Sequence, residues 1–483
     1  MKLKKLLKDI EYTEIKGFKD VEISGITADS KVVAPGNLFI ARKGEKFDGA
    51  EFIYEAIEAG AIAVITDVFD PFLKDITQVI CQNATESIPD IANNFYNNPS
   101  NDLFTIGITG TNGKTTTSYL IKHILDKSHK KTGLIGSIEY ILGEHKIVSK
   151  LTSPDSITLQ KYLREMIISN CQSVCMEVSS HALKQNRVKN VDFDIAIFTN
   201  LTIDHLDYHI SFENYKKAKK KLFDSLDEKS TSIVNIDDEN YPDMIKDTKS
   251  KIFTFSLQKK ADLYVSDIKF SLKGSYFTLY FKDKKTDVFT PLIGKYNIYN
   301  ILAAISVGLI ANIELEKIIF FIKNFKEVKG RLQKVENKKN LNIFVDFAHT
   351  DDALKNVLLT LREIKKGKII NVFGCGGNRD KSKRSLMAKA SEKYADISIV
   401  TSDNPRDEDP EKIIDEVKSG FSKNSKFIIE KDRKKAIEKA ISLANGQDII
   451  IITGKGHETY QIFDRTTIEF DDAKIVKQIC HIL

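Results

Sequence analysis

The chain has 483 residues, of which 42% are hydrophobic and 29% are charged. This composition is typical of globular proteins and excludes a disordered, collagen-like or coiled-coil chain, and the length predicts about three domains. Lysine and arginine number 73 against 67 acidic residues, and the resulting charge of +6 permits anionic small-molecule ligands without indicating a nucleic-acid partner.

The cysteines and the N-terminal segment predict the cellular compartment of the protein. Five cysteines without a CxxC pair indicate free thiols in a reducing compartment rather than a zinc site. Charged residues interrupt the apolar ones in segment 1–16, so it lacks the apolar region of a signal peptide. No run of about 18 apolar residues predicts a membrane span. We therefore expect a cytoplasmic protein, monomeric and acting on small molecules.

The first two-thirds of the chain predict two α/β domains in succession. The first is small and ends in a turn-rich segment at 93–102, which predicts a linker. A strand over 103–108, a loop rich in glycine and threonine, and a helix from 115 to about 128 then open a nucleotide-binding domain with a parallel sheet. A second turn-rich and charged segment lies at 326–340. The predicted domain bounds are 1–102, 103–332 and 333–483.

The last domain alternates between apolar runs and helical patterns. This rhythm predicts a doubly wound, Rossmann-like parallel sheet, whose ligands bind beyond the carboxyl ends of the strands. Four predicted strands run directly into polar segments, which are DFAHTDD, GCGGNRDKSKR, SDNPRDEDP and GKGHE. We therefore expect a binding site along that edge. The predicted strands are 343–346, 368–373, 397–401, 426–429 and 448–453.

A glycine-rich loop, IGITGTNGKTTT at 106–117, follows an apolar strand and opens a helix. Small residues let backbone N–H groups surround phosphate oxygens, and the helix N-terminus adds the positive end of its dipole. Lys114 would reach the β- and γ-phosphates, and the Thr115 hydroxyl would bind Mg²⁺. The spacing departs from the common P-loop, since Gly110 leaves two residues before the Gly–Lys pair. The residues predicted to bind ATP here are Gly110, Thr111, Asn112, Gly113, Lys114, Thr115 and Thr116.

This form of loop, GTNGKTTT, resembles that of the Mur ligase family, the ATP-dependent amino-acid ligases of peptidoglycan synthesis, and of their folylpolyglutamate synthetase relatives. Further family-like blocks follow in order, which are MEVSSHAL, TNLTIDHLDYH, GKYNIYNILAA, GRLQ, DFAHTDDAL and GKGHE. The resemblance spans nearly the whole chain and is strongest to the branch that adds the third residue of the stem peptide. It implies a three-domain α/β fold that uses ATP and two Mg²⁺ ions.

The resemblance also implies a set of catalytic groups in the central domain. Glu177, which follows an apolar strand, would bind Mg²⁺. His205 of DHLDYH, preferred here to His209, would bind the second ion. In the family, CO₂ carboxylates a downstream lysine whose carbamate bridges both metal ions, and YKKAKKKLF places this lysine at Lys219, with its register open within 217–221. The predicted catalytic residues are Lys114, Glu177, His205 and Lys219, of which the last three and Thr115 would bind metal.

Two further sets of binding residues follow from the resemblance alone. The nucleotide would also contact residues of the last domain and its approach, which are Asn297, Arg331, Asp346 and His349. The UDP-sugar peptide would contact hydroxyls, an amide and one arginine, which are Ser30, Thr152, Ser153, Ser179, Gln185 and Arg187.

The motif DNPR at 403–406 is similar to that of the diaminopimelate-adding branch. A planar guanidinium binds a carboxylate through two parallel hydrogen bonds. Arg406 would therefore accept a diamino diacid and repel the terminal ammonium of lysine, whereas Glu458 would suit the distal ammonium of the diacid. The predicted amino-acid pocket consists of Arg379, Asp403, Asn404, Pro405, Arg406, Gly454 and Glu458.

The resemblance thus predicts an ADP-forming ligase. It would add meso-2,6-diaminopimelate to the D-glutamate of UDP-MurNAc-L-Ala-D-Glu through an acyl phosphate. The alternatives are the same reaction with L-lysine or lanthionine, a folylpolyglutamate synthetase, and a P-loop nucleotide-binding protein without ligase activity. A GTPase should carry NKxD, and the nearest string, NKKN at 337–340, lacks the aspartate.

Overall fold

A computed structural model describes residues 1–44 and 47–482 of the chain. The polypeptide divides into two compact units, Met1–Phe253 and Thr254–Leu483. Both combine helices with mostly parallel sheets, which confirms the predicted α/β class. In the described part of the chain no helix is both long and apolar enough to cross a membrane. All five cysteines are described, and each is a buried free thiol.

The first unit begins with a small five-stranded sheet. Its elements are α1 (Leu3–Leu6), β1 (Glu14–Lys16), β2 (Gly25–Thr27), β3 (Asn37–Ile40), α2 (Ile53–Glu58), β4 (Ala61–Thr66), β5 (Thr77–Ile80) and α3 (Ala84–Phe95). The strand order is β1-β5-β4-β3-β2, parallel except for β1. Apolar residues of β3 and β4 face both sides of this sheet, so it is buried on both faces.

A second set of strands and helices forms the rest of the first unit, and the last of these strands continues past Phe253, where the second unit begins. Its elements are β6 (Phe104–Thr109), α4 (Lys114–Lys127), β7 (Thr132–Ile135), β8 (Glu139–Leu142), β9 (His145–Val148), α5 (Ser156–Ile168), β10 (Ser173–Glu177), α6 (Ser180–Lys184), β11 (Ile195–Phe198), α7 (Leu206–His209), α8 (Phe212–Asp224), β12 (Thr231–Asn235), α9 (Tyr241–Ile245) and β13 (Lys251–Ser256). Strands β12, β11, β6, β10 and β7 are parallel neighbours, and β8 and β9 extend the sheet as antiparallel strands. The carboxyl ends of β6, β10 and β11 therefore meet at one edge.

Polar contacts join the two sheets of the first unit. The Asp90 carboxylate accepts hydrogen bonds from Lys189 Nζ at 3.0 Å and Asn190 Nδ2 at 2.7 Å, and Ser100 Oγ accepts one from the Asp192 amide at 3.0 Å. The predicted linker at 93–102 is ordered, since it contains the end of α3 and a 3₁₀ turn. The domain boundary that it predicts stays a prediction.

The second unit begins with an antiparallel meander that the sequence did not predict. Its elements are β14 (Leu263–Ser271), β15 (Gly274–Phe281), β16 (Lys284–Thr290), α10 (Lys295–Ile310) and α11 (Leu315–Lys323). Helix α10 is apolar on nearly every side and correspondingly buried along most of its length.

The rest of the second unit consists of a doubly wound sheet with its helices and a separate sheet made of the last two strands. Its elements are β17 (Gln333–Lys334), β18 (Asn342–Asp346), α12 (Asp351–Ile364), β19 (Ile369–Phe373), α13 (Ser382–Tyr394), β20 (Ile397–Val400), α14 (Pro410–Lys418), β21 (Phe427–Ile429), α15 (Arg433–Leu443), β22 (Ile449–Thr453), β23 (Tyr460–Phe463), β24 (Thr466–Glu469) and α16 (Asp472–Ile482). The order β17-β18-β22-β19-β20-β21 is parallel except for β17. One core lies under α12, α13 and α14 and the other under α15 and α16, which confirms the Rossmann-like prediction.

A fully buried ion pair anchors α16 to this sheet. Arg433 Nε and Nη2 donate to the two carboxylate oxygens of Asp472 at 2.8 Å each, and Nη2 also donates to the Thr453 carbonyl at 2.9 Å. Both side chains have no exposed surface. Removing one partner would leave the other charge buried without compensation, which is the costly case for an ion pair.

We therefore expect Asp472→Ala to lower the free energy of unfolding by about 3–5 kcal/mol, measured by urea unfolding. The matched control is Glu469→Ala, which removes the exposed partner of Lys474 and should cost less than about 1 kcal/mol. Equal effects of the two substitutions would contradict the assignment of this pair as an anchor.

Candidate active site

The glycine-rich loop follows β6 and leads into α4, as predicted. Gly110 has a φ of +149°, and a Cβ there would lie 1.9 Å from Thr199 Oγ1. Gly113 has a φ of +90° immediately before the first helical residue. Both positions thus favour glycine because of their backbone conformation, and Gly110 also has no space for a side chain.

Side chains fix the loop from β11 and from within the loop itself. Asn200 Oδ1 accepts from the Asn112 amide at 2.9 Å, while Asn200 Nδ2 donates to the Asn112 carbonyl at 3.1 Å. Lys114 Nζ donates to the carbonyls of Gly110 at 2.8 Å and Thr111 at 2.9 Å. The lysine ammonium therefore lies over the loop, at the end of the helix that attracts anions.

Replacing Gly110 with alanine should disrupt this loop. Because the added Cβ would overlap Thr199 Oγ1, Thr199 or the loop must move, and we expect a loss of about 1–3 kcal/mol in unfolding free energy together with loss of the thermal stabilisation that ATP gives. Differential scanning fluorimetry with and without ATP measures both effects. Gly446→Ala is the control, since its Cβ would meet nothing within 4 Å.

Glu177 lies at the carboxyl end of β10 with no exposed surface. Its Oε2 accepts hydrogen bonds from Thr115 Oγ1 at 3.1 Å and from Ser137 Oγ at 3.0 Å, and its Oε1 accepts from the Ser137 amide at 2.9 Å. The two predicted magnesium ligands of this edge, Thr115 and Glu177, are thus in direct contact. Oxygen atoms of this kind are the ligands that Mg²⁺ prefers.

Lys219 is buried, with 1% of its surface exposed, on the inner face of α8. Its Nζ donates to the Gly110 carbonyl at 2.8 Å and lies 4.6 Å from the centroid of the Tyr215 ring. Burial, and then the positive charge of Lys114, lowers the pKa of Lys219 well below its ordinary range. Burial therefore favours the neutral amine of Lys219 over its ammonium form.

The neighbouring lysines of α8 have different surroundings. Lys216 pairs with Asp243 at 2.7 Å, and Lys220 pairs with Asp247 at 2.6 Å. Lys217 and Lys221 are exposed to solvent. Of the lysines within 216–221, all of which the structure describes, Lys219 is the buried one, and its Nζ reaches the glycine-rich loop.

His205 has a left-handed backbone, with φ +51°, and its Nε2 lies 3.5 Å from Asp204 Oδ2. Its ring meets the ring of His181 edge-on at 4.9 Å. Burial lowers the pKa of His205, and burial together with the charges of His205 and His209 lowers that of His181 to about 4. Neutral imidazoles keep the lone pair that a metal requires. His209 instead shares a hydrogen bond with Ser180 Oγ at 3.0 Å.

The described residues contain no preformed group of three or more histidine, cysteine, aspartate or glutamate side chains that could hold a metal ion. The predicted ligand set would need other oxygen atoms as well, such as the Thr115 hydroxyl, a carbamate on Lys219, and phosphate.

The residues predicted to hold the sugar peptide form a hydrogen-bonded group after β10. Arg187 donates from Nη1 to the Ser153 carbonyl at 2.9 Å and from Nε to Gln185 Oε1 at 2.8 Å. Ser153 Oγ donates to the Glu177 carbonyl at 2.8 Å and accepts from the Ser179 amide at 3.1 Å. This network connects the predicted peptide-binding residues directly to the strand that carries Glu177.

Two other residues of that set have separate partners. Thr152 Oγ1 shares a hydrogen bond with Ser137 Oγ at 3.1 Å, whereas Ser30 lies in the small sheet's part of the unit and donates to Glu55 Oε2 at 3.1 Å. Sequence reasoning missed Ser137, which joins Thr152 to Glu177. Its position just after the apolar run of β7 was the available signal.

In the second unit, the carboxyl end of β18 brings together Arg331, Asp346 and His349. Asp346 accepts hydrogen bonds from the amides of Leu332 at 2.6 Å and Ala348 at 2.7 Å, and burial raises the pKa of Asp346. The Arg331 guanidinium carbon lies 4.6 Å from the centroid of the Phe347 ring. His349 Nδ1 lies 2.8 Å from the Phe347 carbonyl. Asp346 thus also fixes the loop that carries Arg331.

Asn297, predicted to contact the nucleotide, is buried in the first turns of α10. Its Nδ2 donates to the Ile293 carbonyl at 2.9 Å, and its Oδ1 accepts from Asn300 Nδ2 at 3.1 Å. The structure therefore gives it a role at the start of the helix, and its contact with nucleotide stays a prediction.

The DNPR loop follows β20 and packs on the glycine-rich loop after β19. Arg406 has φ +52°, and its Nη1 donates to the Gly377 carbonyl at 2.7 Å. A Cβ on Gly376 would lie 2.9 Å from this Nη1, and one on Gly377 would lie 1.8 Å from the Pro405 carbonyl oxygen. The glycines thus let the two loops meet closely and aim the guanidinium.

The acidic residues of the predicted pocket lie beside this arginine loop. Glu458 Oε2 accepts from Asn404 Nδ2 at 2.8 Å, and a Cβ on Gly454 would lie 2.4 Å from Asp403 Oδ2. Arg379 is exposed in the loop after β19. The carboxyl ends of β19, β20 and β22 therefore gather the predicted pocket at one edge, as the topology requires.

Sequence reasoning missed the group that holds these loops together. Arg384 is buried on α13, and its Nη1 donates to Glu408 Oε2 at 2.9 Å and to Glu416 Oε2 at 2.7 Å. Glu408 also accepts from the Asn378 amide at 2.6 Å. The hydrogen bonds from Arg384 lower the pKa of Glu408 to about 2. Nothing in the sequence distinguished Arg384 from the other basic residues around it.

A glycine-rich loop between a strand and a helix in one unit, and a doubly wound sheet with charged loops at its carboxyl edge in the other, are typical of nucleotide-dependent enzymes. Three family models match the chain, which are the Mur ligase family catalytic domain over 22–96, the Mur ligase middle domain over 108–308 and the Mur ligase glutamate ligase domain over 330–456.

Relatives that match along their full length are also Mur ligases. UDP-N-acetylmuramoyl-L-alanyl-D-glutamate–2,6-diaminopimelate ligases from Chlamydia felis and Caldanaerobacter subterraneus are each 44% identical over 99% of both chains. A solved structure of a ligase with that description is 31% identical, with a TM-score of 0.72 over 100% of this chain and 99% of that one. The ADP complex of a Thermotoga maritima MurF ligase shares the fold, at 19% identity and a TM-score of 0.64 over 90% and 95%. The chain belongs to the Mur ligase family, and it is an ATP-dependent ligase.

Proposed function

We propose that the chain adds meso-2,6-diaminopimelate to the D-glutamate of UDP-MurNAc-L-Ala-D-Glu in the cytoplasm, a step of peptidoglycan precursor synthesis. The observation that carries the proposal is the similarity, at 41–46% identity over at least 98% of their length, to relatives described as ligases for 2,6-diaminopimelate. Arg406 supports this choice of amino acid, because its guanidinium could bind the distal carboxylate of a diacid substrate, whereas free L-lysine has no such carboxylate.

The proposed chemistry proceeds through two steps. The side-chain carboxylate of D-glutamate attacks the γ-phosphorus of ATP, and ADP leaves, which gives an acyl phosphate. The amine of the diamino acid then attacks the activated carbonyl carbon, loses a proton, and expels phosphate to form the amide. Lys114, already over the phosphate loop, would neutralise charge on the transferring phosphoryl group.

The side-chain oxygen atoms of Thr115 and Glu177, which are in direct contact, fit a divalent cation. Mg²⁺ bound there would supply charge neutralisation to the phosphates. We propose His205 and a carbamate of Lys219 as the remaining protein ligands. The carbamate would form when the Lys219 amine, in its neutral form, attacks the carbon of CO₂ and loses a proton, and the burial that lowers the pKa of this lysine favours that form.

The test follows phosphate release by the purified protein with ATP, Mg²⁺ and UDP-MurNAc-L-Ala-D-Glu. We expect release to require meso-diaminopimelate and to be at background with L-lysine. Release that depends on L-lysine instead would overturn the amino-acid assignment, and release that no amino acid affects would overturn the ligase proposal. A parallel reaction with lanthionine compares the two diacids directly.

A further inference from the structure

A lysine that no part of the proposed reaction uses lies inside the amino-acid pocket. Lys455 follows β22 and has no exposed surface. Its Nζ donates to Asn404 Oδ1 at 3.0 Å and to Glu458 Oε2 at 3.1 Å, and lies 3.9 Å from Asp403 Oδ1. The same Nζ lies 5.5 Å from the centroid of the Tyr460 ring. All three polar partners belong to the predicted pocket.

Stability alone does not explain this lysine. Moving an ammonium out of water costs several kcal/mol, and well-packed apolar side chains often replace buried ion pairs without loss. A buried cation that contacts three residues of a binding pocket therefore suits a role in that pocket. Lys455 also changes the local charge. The two carboxylates of Asp403 and Glu458 carry a formal charge of −2, and the Lys455 ammonium reduces it to −1.

The hydrogen bonds of Glu458 show which atoms remain for a ligand. Asn404 Nδ2 and Lys455 Nζ both donate to Oε2, whereas Oε1 accepts nothing from residues 1–44 and 47–482. Within the same described ranges the Asp403 carboxylate accepts no hydrogen bond, although Lys455 is near one of its oxygens. Lys455 and Asn404 thus hold one oxygen of Glu458 and leave the other available, beside a second available carboxylate.

We propose that Lys455 is a positioning and specificity residue that orients Glu458 for the distal ammonium of the diamino acid. With Lys455 in place, the group of two carboxylates and one ammonium matches a single incoming positive charge. The inference rests on the proposed function, because it takes the diamino diacid as the substrate. It adds to that function a buried residue that selects the ammonium without touching the substrate.

The experiment compares two amino acids that differ only at the distal amine. Meso-diaminopimelate carries this amine, whereas L-2-aminopimelate keeps the reacting amine and the distal carboxylate but lacks it. We expect Lys455→Met to raise KM for diaminopimelate about 10- to 100-fold, the usual loss for a charge-assisted contact. KM for aminopimelate should change less than about threefold and KM for ATP should stay the same, because neither depends on the orientation of Glu458.

Glu458→Gln is the matched variant, and we expect it to show the same selective loss even if Lys455→Met folds poorly. Lys455→Arg, which keeps the charge, should recover part of the discrimination. Equal losses for both amino acids, or no loss for either, would overturn the proposal. If the unaltered protein releases no phosphate with diaminopimelate, the proposed function fails instead, so the two failures are distinct.

Discussion

Lys219→Met should abolish ligase activity, with a loss of at least ~10³-fold in kcat/KM, while leaving the melting temperature equal or higher. The activity falls because methionine cannot form a carbamate or donate to the Gly110 carbonyl. The stability is kept because burial already disfavours the lysine ammonium, and a methionine of similar length fills the same space. Phosphate release and thermal unfolding of the same preparation measure both effects.

Two other lysines of α8 serve as controls for the assignment of the carbamate to Lys219. Lys217→Met changes an exposed side chain, and Lys220→Met removes the two ion pairs that Lys220 forms with Asp224 and Asp247 at the surface. Both variants should keep most of the activity, since surface ion pairs contribute little. Loss of activity in Lys220→Met with activity retained in Lys219→Met would show that the carbamate was assigned to the wrong lysine.

Arg406→Ala should raise KM for meso-diaminopimelate about 100-fold and leave KM for ATP unchanged. The reason is the loss of the proposed bidentate contact with the distal carboxylate, since a charge-assisted contact of this kind contributes roughly 1.5–3 kcal/mol. Arg406→Lys should recover little of this, because a lysine ammonium lacks the planar pair of donors. Initial rates with varied amino acid and fixed ATP provide the measurement.

Arg362→Ala is the control for Arg406. Arg362 lies at the surface of α12, where it donates to the Tyr394 carbonyl at 3.3 Å. We expect its removal to leave both KM values unchanged. A rise in KM for ATP equal to that for the amino acid in Arg406→Ala would instead indicate a collapsed loop rather than a lost contact with substrate.

The doubly wound sheet was predictable because its strands are continuous apolar runs that end in polar loops. The predicted strand at 448–453 differs by one residue from β22, Ile449–Thr453. Strands that are buried on both faces have this pattern, and it can be recognised from the sequence alone. The positions of the polar loops follow from the same pattern, since each begins where an apolar run ends.

The meander of β14, β15 and β16 was missed for a physical reason. Strand β14 shifts register between Ser266 and Lys269, where Asp267 has a φ of +53°. An extra residue of this kind moves the following side chains to the opposite face and breaks the alternation that marks a half-exposed strand. The pattern in the sequence is therefore interrupted in the middle of the element.

Helical periodicity helps to select Lys219 among the neighbouring lysines of α8. The sequence of lysines left several candidates, but Tyr215, Ala218, Lys219 and Leu222 recur at the spacing of one helix face and are all buried. This spacing was available in the sequence and favours Lys219. The pairing of Lys455 with Glu458 had no such signal, because its burial depends on strands that are distant in sequence.

The buried thiols make this chain convenient for site-specific labelling. Burial raises the pKa of Cys81 to about 11 and that of Cys375 to about 12, and it also raises those of Cys171, Cys175 and Cys480. Alkylating reagents attack the thiolate, so the native cysteines should react slowly at neutral pH. A single cysteine introduced at an exposed position such as Lys217 would react fastest, so a fluorophore could be attached without removing any native cysteine.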